Sequence, residues 1–239
     1  MARTRYINPT TYRSGVWFDC PLKEAVLDPA IAVVLDEPFV SYDASTGGEY
    51  TLTQATAGSA AIATTMPGVL SIDSGSTTAT QGANVQRLKS AFVPASGKSI
   101  WAEFRVKFTG VGALNVETFV GLAASDTTVI ASSAVSTNNR IGWSSVTDDG
   151  VLLLDCDKAG TGTTAAATTI VSDTWFNLGF VYDGDADTVQ QFINGVATGT
   201  AIATTYIPKV VVYPTFVCQS GGTDQPVLHV GGYRVVMER

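Results

Sequence analysis

Residues 99–108 read SIWAEFRVKF, ten positions of alternating character. Ile100, Ala102, Phe104, Val106 and Phe108 fall on one side, and Trp101, Glu103, Arg105 and Lys107 on the other. Successive side chains of an extended chain point to opposite faces, so the pattern predicts a strand with one face in a core. Burying a large apolar side chain contributes roughly 1.5–3 kcal/mol before conformational entropy is subtracted, enough for this strand to anchor a sheet. Residues 175–183, WFNLGFVYD, repeat the pattern with Phe176, Leu178, Phe180 and Tyr182 on one side. After residue 36 no apolar spacing holds a 3.6-residue period for three turns, which leaves no place for a long helix.

Further strands are expected in EYTLTQA, GVLSI, NVQRL, VETFVGL, RIGWSS, VLLLD, KVVVYPTFVC and VLHVGGYRVVME, separated by clusters of Gly, Ser, Thr, Asn and Asp. TVQQFI follows WFNLGFVYD across DGDAD, and Asn194-Gly195 marks the next reversal, because Asn-Gly readily takes the positive φ angles of a tight hairpin. Many strands without helices predict an all-β chain of two packed antiparallel sheets. AIATT occurs at 61–65 and again at 201–205, but one pair in an Ala- and Thr-rich chain does not make a repeat architecture.

Of the 239 residues, 45% are hydrophobic and 15% charged, a composition that supports a sizeable core. The net charge of −7 argues against nucleic acid as a partner, since phosphate binding needs clustered Lys and Arg. The charge is unevenly placed. Residues 1–23 carry four basic groups against one acid, net +3, and residues 24–239 carry ten against twenty, net −10. The N-terminal stretch shows no apolar run of signal-peptide length, and no later stretch approaches the eighteen apolar residues of a membrane span. A soluble chain made in the cytosol, with no membrane partner, is expected. Cys20, Cys156 and Cys218 are odd in number and widely spaced, which predicts packed free thiols.

DGDAD at 183–187 places aspartates at alternate positions, as a calcium loop does. Counting from Asp183, however, the sixth residue is Thr188 where Gly is required, and the twelfth is Asn194 where a carboxylate is required. A turn between strands is the expected role. Glycosidase chemistry needs two facing carboxyl groups. Glu103 has no acid two or four positions away, and it reads as an outward partner for Lys or Arg. Asp155 and Asp157 do alternate, and at a strand end beside a Gly-rich loop they are expected to face solvent. His229 is the sole histidine, which removes a His-cluster zinc site and leaves it as a packed or surface strand residue. No catalytic residue, metal ligand or cofactor site emerges, so the expectation is a protein that is not an enzyme.

With the strands placed, residues 36–239 resemble the laminin-G-like or concanavalin A-like jelly-roll sandwiches of tailed-phage virion proteins. The residues that carry this resemblance are Asp36, Glu37 and Phe39, Gly68-Val69-Leu70, the run from Gly97 to Phe108, Phe119-Val120-Gly121-Leu122, the run from Trp175 to Gly184, and Asn194-Gly195-Val196. Pro38 interrupts the opening, and Tyr50 stands where a Trp is common. The resemblance implies a jelly-roll β-sandwich domain over 36–239, preceded by an extended N-terminal arm over 1–35. It implies a capsid decoration or cement protein, frequently a homotrimer, made in the host cytoplasm and bound to the major capsid protein on the outer surface of the head. A carbohydrate-binding virion protein is the alternative, with Trp101 and Trp143 as glycan contacts. A glycosidase acting through Glu103 or Asp155 is a third.

The arm adds a physical argument of its own. Arg3, Arg5, Tyr6, Tyr12, Arg13, Trp17 and Phe18 are residue types enriched at interface hot spots. Two roles are open to them, a clasp between subunits or padding against the arm's own sandwich.

Overall fold

The computed structural model describes residues 15–17, 20, 30–131, 133–147 and 149–239. Among the described residues the strands are, in chain order, β1 (Ala32–Glu37), β2 (Thr51–Ala55), β3 (Ser59–Ile62), β4 (Leu70–Asp73), β5 (Gly82–Gln86), β6 (Ile100–Thr109), β7 (Val116–Ala123), β8 (Ile130–Ala131), β9 (Ala134–Val135), β10 (Arg140–Ser145), β11 (Val151–Lys158), β12 (Thr161–Thr169), β13 (Trp175–Asp183), β14 (Thr188–Ile193), β15 (Val196–Ala203), β16 (Tyr213–Ser220) and β17 (Val227–Glu238). Single 3-10 turns occupy Gly15–Trp17 and Thr204–Tyr206.

Two antiparallel sheets face one another. The eight-stranded sheet runs β15-β14-β13-β6-β17-β4-β3, with β1 also paired to β17, and the seven-stranded sheet runs β12-β11-β10-β7-β16-β5-β2. The alternation read from residues 99–108 decides the core: Ile100, Ala102, Phe104, Val106 and Phe108 are fully buried between the sheets. Phe104 stacks on Tyr233 at 5.8 Å between ring centroids and meets Phe216 edge-on at 5.9 Å and Trp143 edge-on at 6.2 Å, geometries that aromatic quadrupoles favour. Trp143, Phe180, Tyr182 and Phe39 extend this cluster.

Hairpin β13–β14 turns through DGDAD and β14–β15 through Asn194-Gly195, where φ is +51° and +79°, as the sequence predicted. Asp183 accepts backbone N–H bonds from Asp185 and Ala186, and Asp187 receives the Tyr182 hydroxyl and the Lys209 ammonium. These acids shape and brace a turn.

The strands differ from expectation in several details, among them β3, β8 and β9, which were not foreseen. β1 begins at Ala32, four residues before the expected start of the sandwich, and pairs with β17 over Ala32 to Glu37. The KVVVYPTFVC strand begins only at Tyr213, with Val210 and Val211 exposed. β12, TGTTAAATT, was not foreseen, because Thr, Ala and Gly offer little contrast between faces.

Candidate functional site

Cross-strand register lines up the outer face of the eight-stranded sheet in rows. Ser71, His229, Lys107 and Trp175 form one row across β4, β17, β6 and β13, and Asp36, Arg234, Glu103 and Gly179 form another across β1, β17, β6 and β13. Between them Arg105 sits opposite Asn177 on one side and a disturbed stretch of β17 on the other.

That disturbance is a β-bulge. Val230 pairs with Val106 and Tyr233 with Phe104, so Gly231 and Gly232 together oppose the single residue Arg105. Gly232 has φ of +121°, strained for any other residue. A Cβ on Gly231 would stand 3.0 Å from the Trp175 ring, so the missing side chain is what seats the indole. Bulges re-aim neighbouring side chains, and this one leaves a floor of bare backbone.

Around that floor lies an open groove of about 580 Å³, lined by Trp17, Asp36, Glu103, Arg105, Trp175 and Arg234 among others. Trp17 reaches it from the Gly15–Trp17 turn, which is pinned because Val16 is buried with Trp101, Cys20 and Val236. The Trp17 indole N–H donates to the Glu103 carboxylate. The Arg234 guanidinium lies over the Trp17 ring at 5.7 Å and pairs with Asp36. At the other end, Arg105 lies over the Trp175 ring at 4.6 Å and the Lys107 ammonium at 5.5 Å, with Lys107 paired to Asp173 at 2.6 Å. Glu37 is held by Arg87 at 2.6 Å. Partial burial pushes the Glu103 carboxyl up from its ordinary value, opposed by the Trp17 bond and by Arg234.

The outer face of the other sheet is closed. Residues 124–131 and 133–139 fold over it, with Val129 and Ile130 packed on Phe119, Ala123 and Val217. Asn84 and Gln86 donate to the carbonyls of Asp126 and Ala124, and Gln219 to that of Ile130. Beneath the segment, Arg140 donates to Asp155 at 2.9 Å, stands 3.5 Å from Asp157, and also bonds the carbonyls of Ser136 and Asn138. Asp155 and Asp157 are therefore buried and not solvent-facing, because a paired guanidinium compensates their desolvation. Burial still raises the Asp155 carboxyl above its ordinary range.

The two tryptophans proposed as glycan contacts do not reach solvent. Trp143 is fully buried between the sheets, and Trp101, although on the outer face, is covered by Val16 and Cys20. Both are shielded from a sugar in this structure. Of the arm residues, Trp17 lines the groove, and Arg3, Arg5, Tyr6, Tyr12, Arg13 and Phe18 lie outside the described residues. Sequence reasoning missed Trp175, Arg105 and the Gly231–Gly232 bulge as a set. A Gly-Gly pair inside an otherwise alternating strand was the available signal.

His229 is packed, with Nδ1 2.8 Å from the Ser71 hydroxyl and Nε2 3.0 Å from that of Thr109. Cys20, Cys156 and Cys218 are buried, and none is in a disulfide. Among the described residues no group of three or more His, Cys, Asp or Glu is placed to hold a metal ion.

No protein-family model matches the sequence, and no curated protein is significantly similar to it. Solved structures do match in shape. Peanut lectin superposes with a TM-score of 0.61 at 13% identity, covering 86% of this chain and 97% of the lectin. The Lotus tetragonolobus seed lectin gives 0.58 at 12%, covering 87% and 99%. The Bacillus licheniformis β-glucanase gives 0.60 at 10%, covering 84% and 97%. At such identities the likeness concerns fold alone, and it is shared by lectins and a glucanase alike. The chain is an all-β, two-sheet antiparallel sandwich of the concanavalin A-like jelly-roll fold.

Proposed function

We propose that the protein is a carbohydrate-binding sandwich that takes saccharide in the groove between Trp17 and Trp175. The observation that carries this reading is two indoles flanking a floor stripped of side chains by Gly231-Gly232, with Asp36, Glu103, Arg105, Asn177 and Arg234 around it. Sugar rings present apolar C–H faces and a rim of hydroxyls. Indoles offer area to the first, and planar charged groups and amides offer hydrogen bonds to the second. Lectins among the structural neighbours agree with this reading. A glycan-array screen followed by calorimetry tests it. Trp175→Ala should abolish binding while the urea midpoint stays close to that of the parent. Absence of binding across the array, or full binding by the variant, would remove the proposal. Release of reducing ends that is lost in Glu103→Gln would make the groove catalytic instead.

A second reading is a phage-head decoration protein, trimeric and bound to the major capsid protein on the outer capsid surface. The sequence resemblance favours it, as does one flank of the sandwich. β12 and β15, the outermost strands of the two sheets on that side, touch each other and carry no charged residue. Charged side chains are a usual protection of sheet edges against pairing, and here they are missing. Light scattering should give a trimer, and purified protein mixed with shells lacking it should add regularly spaced density. A monomer that leaves such shells bare would discard this reading.

A further inference from the structure

We infer that the groove selects an acidic saccharide, a hexuronate whose carboxylate docks on Arg105. The inference rests on the carbohydrate-binding reading of the same groove and deepens it. Its origin is a charge with no counter-charge among the described residues. Arg234 pairs with Asp36, Arg87 with Glu37, and Lys107 with Asp173. Arg105 is exposed, has no carboxylate partner among the described residues, and rests over the Trp175 ring at 4.6 Å. In a chain of net charge −7, an arginine in the middle of a groove with no acid beside it among the described residues is conspicuous.

The two ends of the groove differ in consequence. Around Trp17 stand Arg234, Glu103, Asp36 and the Arg87-held Glu37, with acids in excess; around Trp175 stand Arg105, Lys107 and Asp173, two cations against one acid. A guanidinium presents N–H donors in a planar fork that matches a carboxylate, and stacking on the indole pre-orders it. A pyranose lying in the groove with its C–H face on Trp17 would extend toward Arg105. Its ring hydroxyls would meet Glu103 and Asn177, and an exocyclic carboxylate would complete the electrostatics at the Trp175 end. A neutral sugar would leave that cation unanswered.

The test is calorimetry with three probe series: oligouronates of galacturonate, glucuronate and mannuronate, the same oligomers methyl-esterified at the carboxyl, and neutral gluco- and galacto-oligosaccharides. At least one oligouronate should bind, and esterification should weaken it about tenfold or more, the loss of a charge-assisted contact. Arg105→Gln should weaken the acid form by a similar factor and the esterified form by clearly less. Raising the salt should weaken only the acid form. If neutral or esterified oligomers bind as tightly as the acids, with binding still lost in Trp175→Ala, the charge selection is wrong and the saccharide groove stands. If an oligouronate binds but Arg105→Gln changes nothing, the assignment to Arg105 is wrong. If no oligomer of any series binds, the carbohydrate reading fails with it.

Discussion

A Cβ on Gly179 would lie 2.2 Å from Cγ2 of Val16, so the Gly15–Trp17 turn docks on the sheet only because position 179 has no side chain. Val16 in turn covers Trp101 and Val236, and Trp17 is carried into the groove. Gly179→Ala should therefore push the turn off its seat and destabilise the fold by about 1–3 kcal/mol, the usual cost of overpacking. Urea unfolding measures the loss. The same variant should weaken saccharide binding, since Trp17 moves with Val16, and a parent-like affinity would show that Trp17 does not form a groove wall.

The Arg140 pairs invite a comparison of two substitutions. Arg140→Met leaves Asp155 and Asp157 buried without their counter-ion, at a cost of about 3–5 kcal/mol. Asp157→Asn removes the more distant partner and keeps the Asp155 contact, and should cost clearly less. Denaturant midpoints would reveal the ranking. Hydrogen exchange at 136–139 should rise in Arg140→Met, because the same guanidinium holds the Ser136 and Asn138 carbonyls.

Trp143→Ala removes a fully buried indole from beside Phe104 and Phe180 and should destabilise by about 3–5 kcal/mol. Any loss of glycan binding in this variant should follow the loss of folded protein in a thermal or urea assay, and vanish under conditions where the variant is fully folded.

His229 supplies a pH dependence with a definite sign. Burial, then the Lys107 charge, lowers its pKa below 6.5, with Asp173 and Asp73 opposing. The folded state therefore favours neutral imidazole, bonded to Ser71 and Thr109. Its contribution is complete above pH 6.5 and is lost as pH falls through the lower folded value. Urea midpoints taken downward from pH 7 should fall more steeply for the parent than for His229→Gln. Parallel curves would contradict the sign.

Alternation in SIWAEFRVKF and WFNLGFVYD was enough to place both central strands and to name the buried side of each, because a period of two assigns a face without reference to any neighbour. Asn194-Gly195 and DGDAD announced their turns through backbone preferences that are equally local. Strands of low contrast, such as TGTTAAATT, left no such mark. Trp101 illustrates the limit of a face assignment: it stands on the outer side, as read, yet a turn 84 positions earlier in sequence buries it.

What the amino-acid order determined by itself was therefore the class of fold, the core faces, the turns and the failure of the calcium-loop pattern, since each depends on residues within a few positions of one another. Tertiary structure alone decided the groove. Trp17, Asp36, Glu103, Arg105, Trp175 and Arg234 come from five separate stretches of chain; cross-strand register brings the strand residues together, and the docked Gly15–Trp17 turn adds Trp17. One extra residue at Gly231-Gly232 shifts that register locally. Only when the sheet has formed can it open the floor on which Trp175 rests.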